Sequence, residues 1–374
     1  TVVVDAGDYD RVLTALDADE DPVELRRELA RKAFAHTAQY DAAISTWLTR
    51  HTEADAYPES VVLAGTRRQV MRYGENPHQS AALYVSDDAA HGCVATAAQR
   101  QGKELSYNNI ADADAATQCV KAFADCACVI VKHANPCGVA VADDPETAYR
   151  RAYECDSTSA FGGIIAFNRA VDGAAAAAIV GQQFAEVIIA PEFDAAALSA
   201  FAEKPNIRVL ELGSLPPVQS EPEVKTVEAG WLLQERDGGS WADIEPNCVT
   251  KLEPTESQTR DLRFAWTVAK YVKSNAIVYA HDQRTLGIGA GQMSRVDSAR
   301  IAALKAGEAG FELSGAVMAS DAFFPFRDAM DMAAERGIKA IIHPGGGMRQ
   351  DEVIAAADAH GIAMLLTGMR HFRH

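Results

Sequence analysis

Short apolar runs separated by helix-length stretches set what this chain can fold into. Residues 128–131 (Cys-Val-Ile-Val), 163–167 (Gly-Ile-Ile-Ala-Phe) and 187–190 (Val-Ile-Ile-Ala) have the length and content of buried strands. Residues 338–342 form a similar run interrupted by Lys339. Segments 111–123, 171–186, 258–273, 297–307 and 350–360 between and after them read as helices. The alternation predicts an α/β fold with helix-covered sheets. Toward the start, residues 1–7 read as a strand and 22–50 as a helix, with Leu25, Leu29, Phe34, Ile44, Trp47 and Leu48 at helical spacing. Residues 52–60 read as a polar linker. Residues 216–254, rich in Pro, Gly and acid, read as a long excursion between two lobes.

With 48% hydrophobic residues, the 374-residue chain can bury a large core. Its net charge of −17 argues against a broad surface for nucleic acid or anionic membrane. A few convergent Arg and Lys side chains could still hold a small phosphate in a cleft. The 7 cysteines show no disulfide spacing, which predicts free thiols in a reducing cytoplasm. No apolar run has the length of a membrane span, and nothing resembles a signal peptide. Thr1 stands where a Met is expected, so an N-terminal truncation is expected.

The segment Lys132-His133-Ala134-Asn135-Pro136-Cys137-Gly138 follows the first apolar run directly. Open α/β sheets bind ligands at the carboxyl ends of their strands. There a neutral His can take a proton from an attacking amine while Lys supplies positive charge and a proton to the leaving side. A surface Lys beside a hydrogen-bonded turn His would look the same in sequence. Arg72-Tyr73-Gly74-Glu75-Asn76-Pro77-His78-Gln79 offers a bidentate donor and a hydroxyl to a phosphate, or is an ordinary loop.

The segment from Gly287 to Arg295 has closely spaced glycines that let a ligand near the backbone, but not the dinucleotide-binding spacing. Asn275, upstream of it, could hydrogen-bond a planar heterocycle or cap a turn. Phe323, Phe324 and Phe326 around Pro325 could stack on a flat ligand or belong to the core. His343-Pro344-Gly345-Gly346-Gly347-Met348 frees backbone amides ahead of a helix, as an anion site or a plain turn would. A zinc deaminase would need His-x-Glu and Pro-Cys-x-x-Cys. Pro136-Cys137 has no second Cys at that spacing and His-x-Glu is missing, so no catalytic metal is expected.

Taken in order, these segments resemble the AICAR transformylase/IMP cyclohydrolase family. Leu105-Ser106-Tyr107-Asn108-Asn109, Ser159-Ala160-Phe161-Gly162-Gly163, Ser274-Asn275 and Arg370-His371-Phe372-Arg373-His374 add to the set, which runs through 61–374. The resemblance implies a transformylase domain of two related, cytidine-deaminase-like lobes without zinc, over 61–374, with the lobe boundary near 216–254. It implies that 1–55 is the C-terminal remnant of an α/β cyclohydrolase domain, with Ala33-Phe34-Ala35-His36-Thr37 in its tail. The cyclohydrolase residues of the family lie upstream, so ring closure to IMP is not expected of these 374 residues.

The resemblance also implies roles. Lys132 and His133 would be catalytic. Arg72, Tyr73, Gly162, Glu186, Asn275, Arg295, Phe323 and Arg370 would hold the nucleotide. Val296, Phe323, Gly347 and Met348 would line the folate pocket. Met293 departs from a polar residue in some relatives. Further implications are a homodimer with its active site shared across the interface, and a structural potassium ion whose ligands are unassigned. The expected reaction moves the formyl group of 10-formyltetrahydrofolate onto the 5-amino group of AICAR. The alternatives are an inactive nucleotide-binding remnant and a zinc-dependent, deaminase-like hydrolase.

Overall fold

In a computed structural model of the chain, the described residues are 1–18, 22–52, 57–86, 89–216 and 222–374. They divide into two units, one of 1–70 with 81–89 and one of 71–80 with 90–374. In the first, residues 1–5 form no strand, because no described segment offers them a ladder. Asp5 instead caps a 3-10 turn, Ala6–Asp8, by accepting the Gly7 N–H at 2.9 Å. Helix α1 (Tyr9–Asp17) follows, and α2 (Val23–Thr52) covers the expected helix. The buried Asp8 carboxylate ties them, accepting from Arg11 at 3.0 Å and Lys32 at 2.6 Å. Leu29 and Ala42 of α2 are buried, whereas Phe34, Ile44, Trp47 and Leu48 of the expected apolar set are exposed. Strands β1 (Thr66–Met71) and β2 (Ala81–Val85) form a two-stranded sheet. Part of the expected linker, 53–56, lies outside the described residues, as do 217–221 of the excursion.

The second unit is built on a twelve-stranded mixed sheet. Its first half comprises β3 (Ala98–Gln101), α3 (Tyr107–Val120), β4 (Ala127–Lys132), β5 (Asn135–Val141), α4 (Pro145–Tyr153), α5 (Ser157–Ala160), β6 (Ile164–Phe167), α6 (Gly173–Gln182), β7 (Val187–Ala190), α7 (Ala195–Ala202) and β8 (Arg208–Glu211). A separate hairpin, β9 (Pro222–Val227) and β10 (Gly230–Glu235), comes next. The second half comprises β11 (Asn247–Cys248), α8 (Glu256–Ala269), β12 (Ile277–His281), β13 (Arg284–Gly289), α9 (Arg295–Glu308), β14 (Val317–Ser320), α10 (Asp328–Glu335), β15 (Ala340–His343), α11 (Gln350–His360) and β16 (Ala363–Leu366). Side-chain caps fix many helix starts: Asp144, Asp172 and Asp194 each accept the N–H three residues on, and Ser106 and Thr255 close capping boxes.

The strand order is β11-β16-β15-β14-β12-β13-β5-β4-β6-β7-β8-β3. Read outward from the β13–β5 seam, both halves repeat one pattern: an antiparallel hairpin, an antiparallel neighbour, two parallel steps and an antiparallel edge strand. Helices α3 and α8 cover one face with a core common to both halves, including Val129, Val131, Val278 and Val317. On the other face, α4, α6 and α7 pack on Cys128, Ile130 and Ile165, while α9, α10 and α11 pack on Ile277, Tyr279 and Ile341. Strands buried on both faces read as unbroken apolar runs, which is why several were legible in sequence. Two glycines make the helix–sheet approach possible. A side chain on Gly138 would run into the Ala152 carbonyl of α4, and one on Gly287 into the Ala302 carbonyl of α9. Among the described residues, no helix is long and apolar enough to cross a membrane.

Candidate active site

Lys132 ends β4, and His133 and Ala134 make the turn into β5. Both turn residues are left-handed, at φ 51° and 59°. This is the geometry of a two-residue hairpin turn whose twist matches its strands, normally built from Asn and Gly. Here neighbours hold it. The Asp112 carboxylate on α3 accepts the Ala134 N–H at 2.7 Å, and the Asn135 amide donates to the His133 carbonyl at 3.2 Å. His133 is therefore presented, exposed, at a fixed tip. Asn135 and Pro136 belong to β5 and not to the turn; Pro136 falls where the β4–β5 register shifts, a position that tolerates a missing N–H.

The Lys132 ammonium donates to the carbonyls of Phe161 at 2.9 Å and Gly162 at 3.2 Å. Gly162 is itself left-handed at φ 67°, and a side chain there would begin 3.2 Å from that ammonium. Glu186 precedes β7, donates its N–H to Gly163, and accepts a hydrogen bond from Arg208 at 2.7 Å. Lys132, Gly162 and Glu186 thus lie along one edge of the first half.

In the second half, Asn275 donates to the carbonyls of Gln292 at 2.9 Å and Met293 at 3.1 Å, and accepts from Arg295 at 2.7 Å. Arg295 also pairs with the fully buried Asp321 carboxylate and donates to Ser320 at 2.8 Å. Ser274 donates to the other Asp321 oxygen at 2.5 Å. A nearly buried guanidinium paired and hydrogen-bonded in this way holds β12, β14 and α9 in register. Phe323 is exposed, with its ring beside Gly347, where a side chain would meet it at 3.0 Å. Gly345 and Gly346 turn at φ 78° and 90°; the Gly345 N–H bonds His343 Nδ1 at 3.0 Å and the Gly346 N–H bonds Gln350 at 2.7 Å. Burial, and then the Arg295 charge, lower the His343 pKa to about 3, so its ring is neutral and accepts. Met348 is fully exposed, Val296 half-buried in the first turn of α9, and Arg370 exposed near the C-terminus.

Arg72 and Tyr73 follow β1, with the guanidinium 5.7 Å from the Tyr73 ring centre. Their loop closes on itself through Gly74 N–H to Gln79 O at 2.7 Å, and its Glu75 carbonyl accepts from Asn108 of α3 at 3.2 Å. The same helix carries Asp112, so α3 supports both this loop and the His133 turn.

The strand senses bring the segments together. The β4–β5 turn, the amino ends of β6, β7 and β8, the end of β13, the start of β12 and the carboxyl ends of β14, β15 and β16 all fall on one edge of the sheet. The carboxyl-end expectation holds for β4 and the second half; in the first half the edge is formed by the amino ends of the parallel strands, because β4 runs antiparallel to β6. Asn135 bridges the halves by accepting the Lys273 N–H at 3.0 Å. Sequence reading missed Asp112 and Arg208. A signal for Asp112 existed: it is the sixth residue of α3, and Asp261, the sixth of α8, accepts the N–H groups of Asp282 and Gln283 in the matching turn of the other half. Among the described residues, no three His, Cys, Asp or Glu side chains converge as a metal site.

Residues 1–305 match the family described as the AICARFT/IMPCHase bienzyme. The chain belongs to this family. The family joins an AICAR formyltransferase to an IMP cyclohydrolase, enzymes of purine biosynthesis. Among solved structures, the chain is similar to a diaminohydroxyphosphoribosylaminopyrimidine deaminase/5-amino-6-(5-phosphoribosylamino)uracil reductase from Thermotoga maritima, at 20% identity and a TM-score of 0.21 over 29% of this chain and 34% of that one. This chain therefore spans about a third of the length of that structure.

Proposed function

We propose that this chain transfers the formyl group of 10-formyltetrahydrofolate to the 5-amino group of AICAR, giving FAICAR and tetrahydrofolate. The observation that carries the reading is the Lys132–His133 turn, held by Asp112 and Asn135 on the sheet edge where the other candidate residues gather. The AICAR amine is a weak nucleophile because its lone pair is delocalised into the ring and carboxamide. His133 accepts a proton as the amine nitrogen bonds the formyl carbon. Lys132 steadies the oxyanion and delivers a proton to N10 as the C–N10 bond breaks. Acid–base help of this kind is worth roughly 10²–10⁴ in rate. Holding two large ligands side by side supplies the remainder.

Arg72, Tyr73, Gly162, Glu186, Asn275, Arg295 and Arg370 would hold the nucleotide, and Val296, Phe323, Gly347 and Met348 the folate, with Phe323 touching both. The repeated strand pattern supports two related lobes. We place the working form as a cytoplasmic homodimer, in keeping with seven free cysteines. Ring closure to IMP is not assigned to these residues.

The test is formyl transfer by the purified chain, followed as tetrahydrofolate release. FAICAR and tetrahydrofolate are expected; no turnover with both substrates at saturation overturns the reading. Arg72→Ala should weaken AICAR far more than folate, since a charge-assisted phosphate contact is worth about 1.5–3 kcal/mol. Equal losses for both ligands would count against that role.

A further inference from the structure

The last six residues form no helix or strand, yet they alternate. Met369, His371 and Arg373 turn inward, whereas Arg370, Phe372 and His374 are exposed. The inward residues are all held. His371 is only 3% exposed, and its Nδ1 donates to Asp237 at 2.5 Å. Its ring stands edge-on to Trp266 at 4.8 Å, and Trp266 meets Trp241 at 5.8 Å. The second Asp237 oxygen lies 3.5 Å from the Lys270 ammonium. Segment 236–241 packs closely on the tail at Gly239: a side chain there would begin 2.5 Å from the Met369 sulfur and 3.1 Å from the His371 ring. The Arg373 carbonyl accepts the Ser274 N–H at 2.9 Å, and its guanidinium donates to Gln118 at 3.2 Å.

Arg370, between two held residues, is different. It makes no hydrogen bond or ion pair among the described residues, and its guanidinium lies 4.2 Å over the Phe372 ring. We infer that Asp237 and His371 form a clamp whose task is to keep Arg370 aimed at the phosphate of the nucleotide. They are positioning residues that act through it. The inference rests on the reading of Arg370 as a nucleotide ligand. A cation on a free tail would have to be ordered at each binding event, which lowers affinity; a clamped one is ordered in advance. Among the described residues, His371 Nε2 is buried without a partner, and the Asp237 bond is the ring's one hydrogen bond. Removing Asp237 strands a buried imidazole, and the tail is then released rather than locally relaxed.

The experiment combines AICAR and 10-formyltetrahydrofolate titrations with hydrogen exchange over 369–374. The variants are Asp237→Ala, Asp237→Glu, His371→Ala, Arg370→Ala and the Asp237→Ala/Arg370→Ala pair. Asp237→Ala and His371→Ala should each weaken AICAR about tenfold, the scale of one charge-assisted bond, with folate affinity unchanged and partial recovery in Asp237→Glu. The paired variant should be no weaker than Arg370→Ala alone, because the clamp acts only through that residue. Multiplying losses, equal loss of folate affinity, or a tail as protected in Asp237→Ala as in the parent would each overturn the inference. If the parent chain binds no AICAR, the nucleotide reading fails separately. Exchange then decides the clamp: protection lost in Asp237→Ala and kept in Arg370→Ala supports it, and unchanged protection overturns it.

Discussion

Asn135 in the first half of the sheet accepts the backbone N–H of Lys273, 138 residues further on, at 3.0 Å. The same amide donates to the carbonyl of His133, so one side chain ties the exposed His to the segment that leads into Asn275. The backbone seam nearby is thin: β5 and β13 pair at Ala140 and Arg284, helped by the Thr285 hydroxyl bonded to Val139 at 3.0 Å.

Asn135→Ala should therefore lower both stability and turnover. Two hydrogen bonds of ordinary worth amount to about 1–2 kcal/mol. Asn135→Asp keeps the acceptor for Lys273 but not the donor for His133. It should melt closer to the parent while remaining slow in formyl transfer. Identical melting of the two variants would mean that the Lys273 bond contributes nothing.

The dimer proposal has its own test. Lys132→Ala and Asn275→Ala chains should each be inactive as homodimers. If each site draws Lys132 from one subunit and Asn275 from the other, a mixed dimer has one site with both defects and one with neither. Activity should return on co-refolding. Its absence, with the heterodimer confirmed by mass, would place each site within one chain.

Gly138→Ala and Gly287→Ala should each destabilise the chain by about 1–3 kcal/mol, the usual cost of overpacking a core. The atoms in the way are backbone carbonyls of packed helices, which cannot swing aside. Gly181→Ala, on a helix with nothing within 4 Å of the added carbon, should instead stabilise by up to about 1 kcal/mol. Thermal melts of the three variants check the contrast.

His343 should make the fold acid-sensitive. Its folded pKa of about 3 lies below the ordinary value of 6.5, so between these values the unfolded chain binds a proton that the folded chain refuses. Stability from this group is complete above the ordinary value and is lost as pH falls below it. His343→Asn, which can still accept the Gly345 N–H, should flatten the fall in urea midpoint between pH 6.5 and 4.5. An unchanged slope would assign the sensitivity elsewhere.

Buried strands were the most legible part of the fold, because strands packed on both faces leave unbroken runs such as 128–131 and 187–190. The segment from Ile277 to Gly289 hid a hairpin because Gln283 stands where such a turn normally carries glycine. The N-terminal valines misled, since a strand needs a partner and the run alone cannot show one. At the candidate site, the ordered motifs picked out segments that the fold brings to one edge of the sheet, but not their supports. Asp112 and Arg208 act across the fold on Ala134 and Glu186, and no local spacing reveals such contacts.

The twin turns have one more consequence. His133–Ala134 and Asp282–Gln283 share backbone geometry, hairpin register and a carboxylate from the same position of the preceding helix, yet they sit on opposite edges of the sheet. Left-handed residues other than glycine cost of order 1 kcal/mol or more each. The molecule thus carries an internal control for its own chemistry. Gln283→Gly reports what relaxing such a turn does to stability alone; Ala134→Gly, beside the histidine proposed to react, reports that same relief plus whatever rigidity is worth to the proposed reaction. The difference between two ordinary melting curves and two rates would separate the strain of a shape from the use made of it.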